Sequence, residues 1–186
     1  MRKLLRIFLV GIITVFIAGF FYSTKYKITN DKKQLEDNII CFIDRPSEVA
    51  NSVDIIQELN LDNKKYVLFL INARLGRAEL TKGFNDKYKI ESTEYGTGFF
   101  HGEINRTNRE KYLVISGKNY ENKIAYIKVL FNEKDYKINI PQQEYFMVNC
   151  VVPVETQQHF LDVNNTRFYN SNGMDITEEM LNILFQ

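Results

Sequence analysis

From Ile7 to Tyr22 the chain carries no charged residue, and Leu4–Tyr22 reads LLRIFLVGIITVFIAGFFY. Nineteen helical residues extend about 28 Å, close to the apolar thickness of a bilayer. A helix that is apolar on every side belongs in a membrane or in the buried core of a soluble protein, and its place at the extreme N-terminus argues against the second. Arg6 sits near one end, where its stem can reach the headgroups. Phe20, Phe21 and Tyr22 occupy the other end, as in an interfacial aromatic belt. The expectation is an uncleaved signal anchor over residues 1–25, in contact with membrane lipid. The alternative is a secreted protein freed by signal cleavage. Cleavage after Ser23 would put Phe21 at the −3 position, and cleavage after Gly19 would put Ile17 there; neither is small.

The two flanks are both basic, so counting charges does not orient the helix. Energetics favour the N-terminus inside. The opposite insertion would carry Arg2, Lys3 and Arg6 across a membrane that is negative inside, at about 2.3 kcal/mol per charge per 100 mV. The expected localisation is therefore a single-pass cell-membrane protein with its C-terminal domain outside.

Five of the 24 basic residues lie in residues 1–27, and all 23 acids lie beyond them, so the remainder is net negative by four. A mildly acidic domain lacks the basic face that meets phosphates, so no nucleic-acid partner is expected. The chain of 186 residues is 45% hydrophobic and 25% charged, which is ordinary globular usage. Residues 26–38, including DKKQLEDN, read as a polar tether, and residues 39–186 as one extracytoplasmic β-rich domain.

Within that domain Ile39–Ile43 fits a short strand, or a helix through Leu35, Ile39 and Phe42. Pro46 and Ser47 then look like a helix start, with Val49, Val53, Ile56 and Leu59 at helical spacing. Beyond them the pattern is β. Tyr66–Ile71 is continuously apolar, as in a central strand buried on both faces. Gly76–Leu80, Lys87–Glu91, Phe99–Ile104 and Tyr112–Ser116 are shorter strands, with a bend at Gly96 and Gly98. Ile124–Phe131 and Asp135–Ile140 alternate around a turn, and Pro141 closes the hairpin. Tyr145–Val152 is a further strand ended by Pro153. Residues 155–166 read as a loop, Arg167–Tyr169 as a last strand. Asp175 and Glu178 resemble a capping box ahead of Met180, Leu181 and Leu184. The fold class is mainly β: an antiparallel sandwich or small barrel with one packed helix and a short C-terminal helix. An α+β sheet is the runner-up.

No motif assigns a catalytic residue, a cofactor or a metal. His101-Gly102-Glu103 matches the His-x-Glu of zinc deaminases, but Pro-Cys-x-x-Cys is missing. Gly96-Thr97-Gly98 lacks the third glycine and the helix of a phosphate loop. Setting Gly173 as the sixth position of a calcium loop puts Phe168 where the first carboxylate belongs. Asn105-Arg106-Thr107 and Asn164-Asn165-Thr166 fit the glycosylation pattern, which matters only in a glycosylating host. Cys41 and Cys150 either form a disulfide or remain two buried thiols. The segment holding Tyr95, Phe99, Phe100 and His101 sets aromatics beside glycines and is the candidate contact loop.

These features imply a membrane-anchored binding or interaction module with an unassigned ligand and an unknown protein partner. Two alternatives stand beside it. One is a surface-anchored hydrolase whose acids meet His101 or His159 through folding. The other is a small accessory subunit of a membrane complex, using the loose small-residue face Gly11, Thr14, Ala18 and Gly19.

Overall fold

The computed structural model describes residues 2–43, 52–96, 100–131 and 134–184. Helix α1 covers Arg2–Lys25. Its stretch Arg6–Lys25 is long and apolar enough to cross a membrane, and none of that stretch is buried against the domain. Helix α2 covers Lys32–Ile43 and buries Leu35, Ile39 and Ile43, one stripe at four-residue spacing. Asp31 caps it by accepting the Gln34 amide at 2.8 Å. The segment expected to be a loose tether is therefore folded onto the domain. Ile39–Ile43 is helical rather than extended, and Phe42 points largely to solvent.

Ten strands follow among the described residues: β1 (Val53–Leu61), β2 (Lys64–Ile71), β3 (Arg74–Lys82), β4 (Tyr88–Tyr95), β5 (Phe100–Arg106), β6 (Lys111–Lys118), β7 (Tyr126–Phe131), β8 (Lys134–Asn139), β9 (Tyr145–Val152) and β10 (Thr166–Tyr169). Helix α3 (Thr177–Leu184) ends the described chain. The strands form three antiparallel sheets, ordered β1-β2-β3-β4, β5-β6-β9 and β10-β7-β8, and none closes into a barrel. The expected helix through Val53, Ile56 and Leu59 is strand β1. A register shift between Ile55 and Gln57 breaks its alternation and leaves apolar residues at a spacing that imitates a helix. Pro46, Ser47 and Val49 lie outside the described residues.

The sheets stack as layers. One face of the first sheet packs Val67, Phe69 and Ile71 against the buried stripe of α2. Its other face turns Tyr66 and Leu68 towards Val114 and Met147 of the second sheet. The second sheet sends Leu113, Ile115 and Phe146 the opposite way, to meet Ile127, Val129 and Phe168 of the third sheet and Met180 of α3. Strands β2 and β6 are thus buried on both faces. Full burial of each large apolar side chain stabilises by roughly 1.5–3 kcal/mol.

Polar stitches align the first two sheets. The bulge aims Gln57 at β9, where its amide accepts from the Met147 N–H and donates to the Met147 carbonyl, both at 2.8 Å. At the turn end, Asp62 accepts from the Thr107 hydroxyl at 2.5 Å, and Asn63 accepts from the Asn108 amide at 2.9 Å.

The β2–β3 hairpin turns on Asn72 and Ala73, both at positive φ (48° and 63°). That is the hand that suits paired twisted strands, but an L side chain with a Cβ is strained there. Ala73→Gly should therefore raise the unfolding midpoint of the purified protein, by about 0.5–1 kcal/mol of stability. A lower midpoint would contradict the turn.

Candidate functional site: a charged edge between two sheets

On β3, Ala78 packs into the α2-side core, so its neighbours Arg77 and Glu79 face the second sheet. Glu94 on β4 is the register partner of Arg77, and Tyr66 on β2 is that of Glu79. From the facing sheet, β5 contributes His101, Glu103 and Asn105, which pair with Ser116, Val114 and Tyr112 of β6. The layer between the two sheets is consequently apolar around Leu68, Val114 and Met147 and charged along the β3–β4–β5 edge.

Arg77 is the centre of that edge, with its side chain only 8% exposed. Its Nη2 donates to Glu103 Oε2, closing an ion pair from one sheet to the other. Glu94 Oε2 lies 3.6 Å from the same nitrogen. The His101 ring sits between the two carboxylates, Nδ1 3.7 Å from Glu94 and Nε2 3.8 Å from Glu103. Beside them Lys64 donates to Glu79 at 2.5 Å. Burial pushes the Glu103 carboxyl up, but His101, Arg77 and Asn105 together outweigh burial and hold the group at about 2. Burial, reinforced by Glu79 and Glu103, pushes the Tyr66 phenol well above its ordinary range.

Among the described residues Arg77 Nη1 is buried and makes no hydrogen bond, and Tyr66 Oη, His101 Nε2 and Asn105 Nδ2 beside it make none of good geometry, although His101 and Asn105 stand close enough to Glu103 to favour its charged form. The Nη1 of Arg77 is therefore an unused donor at this edge.

The segment 159–161 lies along β5. The Ile104 amide donates to the His159 carbonyl, and the Leu161 amide to the Gly102 carbonyl, both at 2.8 Å. Gly102 permits that approach, because a Cβ there would stand 2.6 Å from the Leu161 Cβ. The same pairing places Phe160, 62% exposed, edge-on to His101 with ring centroids 6.3 Å apart. The rim of the site is therefore His101, Glu94 and Phe160, above the buried Arg77–Glu103 pair.

The residues of the candidate contact loop do not share one surface. Tyr95 packs against the α2-side core. Phe100 meets Phe168 edge-on at 5.1 Å in the core between the second and third sheets. His101 alone of the described three joins the charged edge, and Phe99 lies outside the described residues. His159 is exposed. Both cysteines are free thiols, so the Cys41–Cys150 pairing is not made. Cys41 is exposed on α2, whereas Cys150 packs against the core between the second and third sheets, with the first sheet between that core and α2. Asn170 Oδ1 accepts the amides of Asn172 and Met174, each at 3.0 Å, and Gly173 has φ 77°, which makes the calcium-like sequence a tight turn. A shallow groove of about 330 Å³ lies elsewhere, between Leu59 and the strands β8 and β9.

Sequence reading singled out His101 but missed Arg77, Glu94 and Phe160. The signal for Arg77 was present: charges at 77 and 79 flank a small apolar residue beside a strand that is apolar on both faces.

No protein-family model matches this chain, and no curated protein or solved structure shows significant similarity to it.

Because the folded Glu103 carboxyl lies at about 2, below its ordinary 4.5, its contribution to stability is complete above pH 4.5 and is lost as pH falls towards 2. Glu103→Gln should flatten that part of the stability profile and cost about 3 kcal/mol at neutral pH, since Arg77 stays buried with only the exposed Glu94 near it. Denaturant titrations at a series of pH values test both statements. An unchanged acid slope would show that this pair is not what titrates.

Proposed function

We propose that this chain is a single-pass membrane protein, N-terminus inside, whose extracytoplasmic β-rich domain is a binding or interaction module with an unassigned ligand. The observation that carries the reading is an exposed apolar span bonded directly to a domain with a charged, aromatic-rimmed edge. The Arg77–Glu103 pair holds the floor of this edge in place, so little freedom there remains to be lost on binding. Phe160 adds exposed aromatic surface beside His101, and aromatic side chains are enriched where proteins meet.

A second reading, a surface-anchored hydrolase, draws support from the placement of His101 between Glu94 and Glu103. The geometry favours it less. Each imidazole nitrogen faces a carboxylate, and a carboxyl held at about 2 is too acidic for proton transfer near neutral pH. Position-specific photocrosslinking from residue 160 in intact cells separates the two. A discrete adduct that Arg77→Met abolishes is expected. Hydrolytic turnover that is lost in His101→Gln, with no adduct, would establish the enzyme instead.

Topology has its own test. A membrane-impermeant maleimide should label Cys41 in intact cells without reductant. Cys150, half-buried and with its thiol pushed up to about 11 by burial, should react only after unfolding. Labelling of Cys41 that requires permeabilisation would place the domain in the cytosol.

A further inference from the structure

The end of α1 is gripped by the β3–β4 turn. The Phe84 amide donates to Tyr22 Oη at 2.5 Å, and Asn85 Nδ2 donates to the Tyr26 carbonyl at 3.0 Å. Tyr22 stacks on Tyr26 with centroids 4.7 Å apart, and on Phe84 at 6.1 Å. Gly83 makes this approach possible, since a Cβ there would lie 2.6 Å from Tyr22 Oη and 2.7 Å from the Tyr26 ring. One residue beyond Tyr26 and Lys27, Ile28 joins the domain outright. It exchanges backbone hydrogen bonds with Tyr88 at 3.1 and 2.7 Å.

Phe84 is 99% exposed, more than any other large apolar side chain in the described domain. Its backbone amide is bonded to Tyr22, which precedes the last residue of the span by three positions, about 4.5 Å along a helix axis. An aromatic at that height lies at the boundary between headgroups and acyl chains, the depth that aromatic side chains prefer. The surroundings carry the matching charge. Residues 22–28 and 82–91 hold five lysines (Lys25, Lys27, Lys82, Lys87, Lys89) against two carboxylates. Those carboxylates, Asp86 and Glu91, pair with Lys82 and Lys89 at 2.7 and 2.8 Å.

We propose that the β3–β4 turn is a second membrane contact: Phe84 inserts into the bilayer interface beside α1, within a lysine collar that favours anionic headgroups. The inference rests on α1 being a membrane span, and the test keeps the two apart.

The chain contains no tryptophan, so each introduced one is a unique reporter. Phe84→Trp, Phe16→Trp within the span and Phe160→Trp on the charged edge would each be placed in the full-length protein, reconstituted into bilayers containing anionic lipid with brominated acyl chains. For Phe84→Trp the expected result is blue-shifted emission, strong quenching by the bromines and protection from aqueous iodide, with Phe160→Trp showing the reverse. If Phe84→Trp behaves like Phe160→Trp while Phe16→Trp is bromine-quenched, the second contact is overturned and the anchor stands. Protection from iodide without bromine quenching would place protein, such as a second copy of the chain, over the turn, and would also overturn the proposal. Failure of Phe16→Trp to be quenched would remove the anchor and the turn contact together.

Discussion

Strands β2 and β6 are each covered on both faces, and the stacking of α2, the three sheets and α3 follows from that requirement. A strand with apolar side chains on alternate sides cannot be satisfied by one core. It needs a cover on each face, and here α2 supplies one cover and successive sheets supply the others. The polar stitches from Gln57, Asp62 and Asn63 then fix how the first two sheets slide relative to each other. Without the double burial α2, half of whose residues are polar, would have no sheet face to cover.

The charged edge is the place where this layering is not apolar. Arg77 and Glu103 approach from different sheets, Arg77 buried and Glu103 partly so. A buried pair of this kind is weak evidence for stability, since apolar side chains of similar size would often serve as well. Its presence, with the unused Arg77 Nη1 beside it, is in keeping with the proposed binding role. Phe160 is brought to the same edge by the close passage of 159–161 over Gly102.

Much of the β architecture was legible because burial on two faces writes a continuous apolar run, as in Tyr66–Ile71 and Tyr112–Ile115, and burial on one face writes alternation, as in Tyr136–Ile140. Helix α2 was obscured because only three of its positions are fully buried, among charged and amide neighbours. Strand β1 was obscured because its bulge shifts the phase of Ile56 and Leu59 relative to Val53. The site was less legible than the fold. Its members come from three strands and a loop, and the Arg77–Glu103 contact is set by sheet stacking, which leaves no local spacing to read. The joint at Tyr22 and Gly83 was invisible for the same reason, as the two residues are neighbours only once the β3–β4 hairpin has formed.

Gly83 has a consequence for reach. A domain on a flexible linker samples a volume, and its effective concentration for a target falls as the linker lengthens. Here the missing side chain lets the turn close on α1, and the Ile28–Tyr88 bridge leaves almost no free chain between helix and sheet. For a molecule held by α1 in a bilayer, rotation about the helix axis would carry the Arg77 edge around a circle at nearly constant height. A target in the same membrane would be met only if its own epitope stood at that height, so the length of a partner's stalk would discriminate between partners before any side chain did.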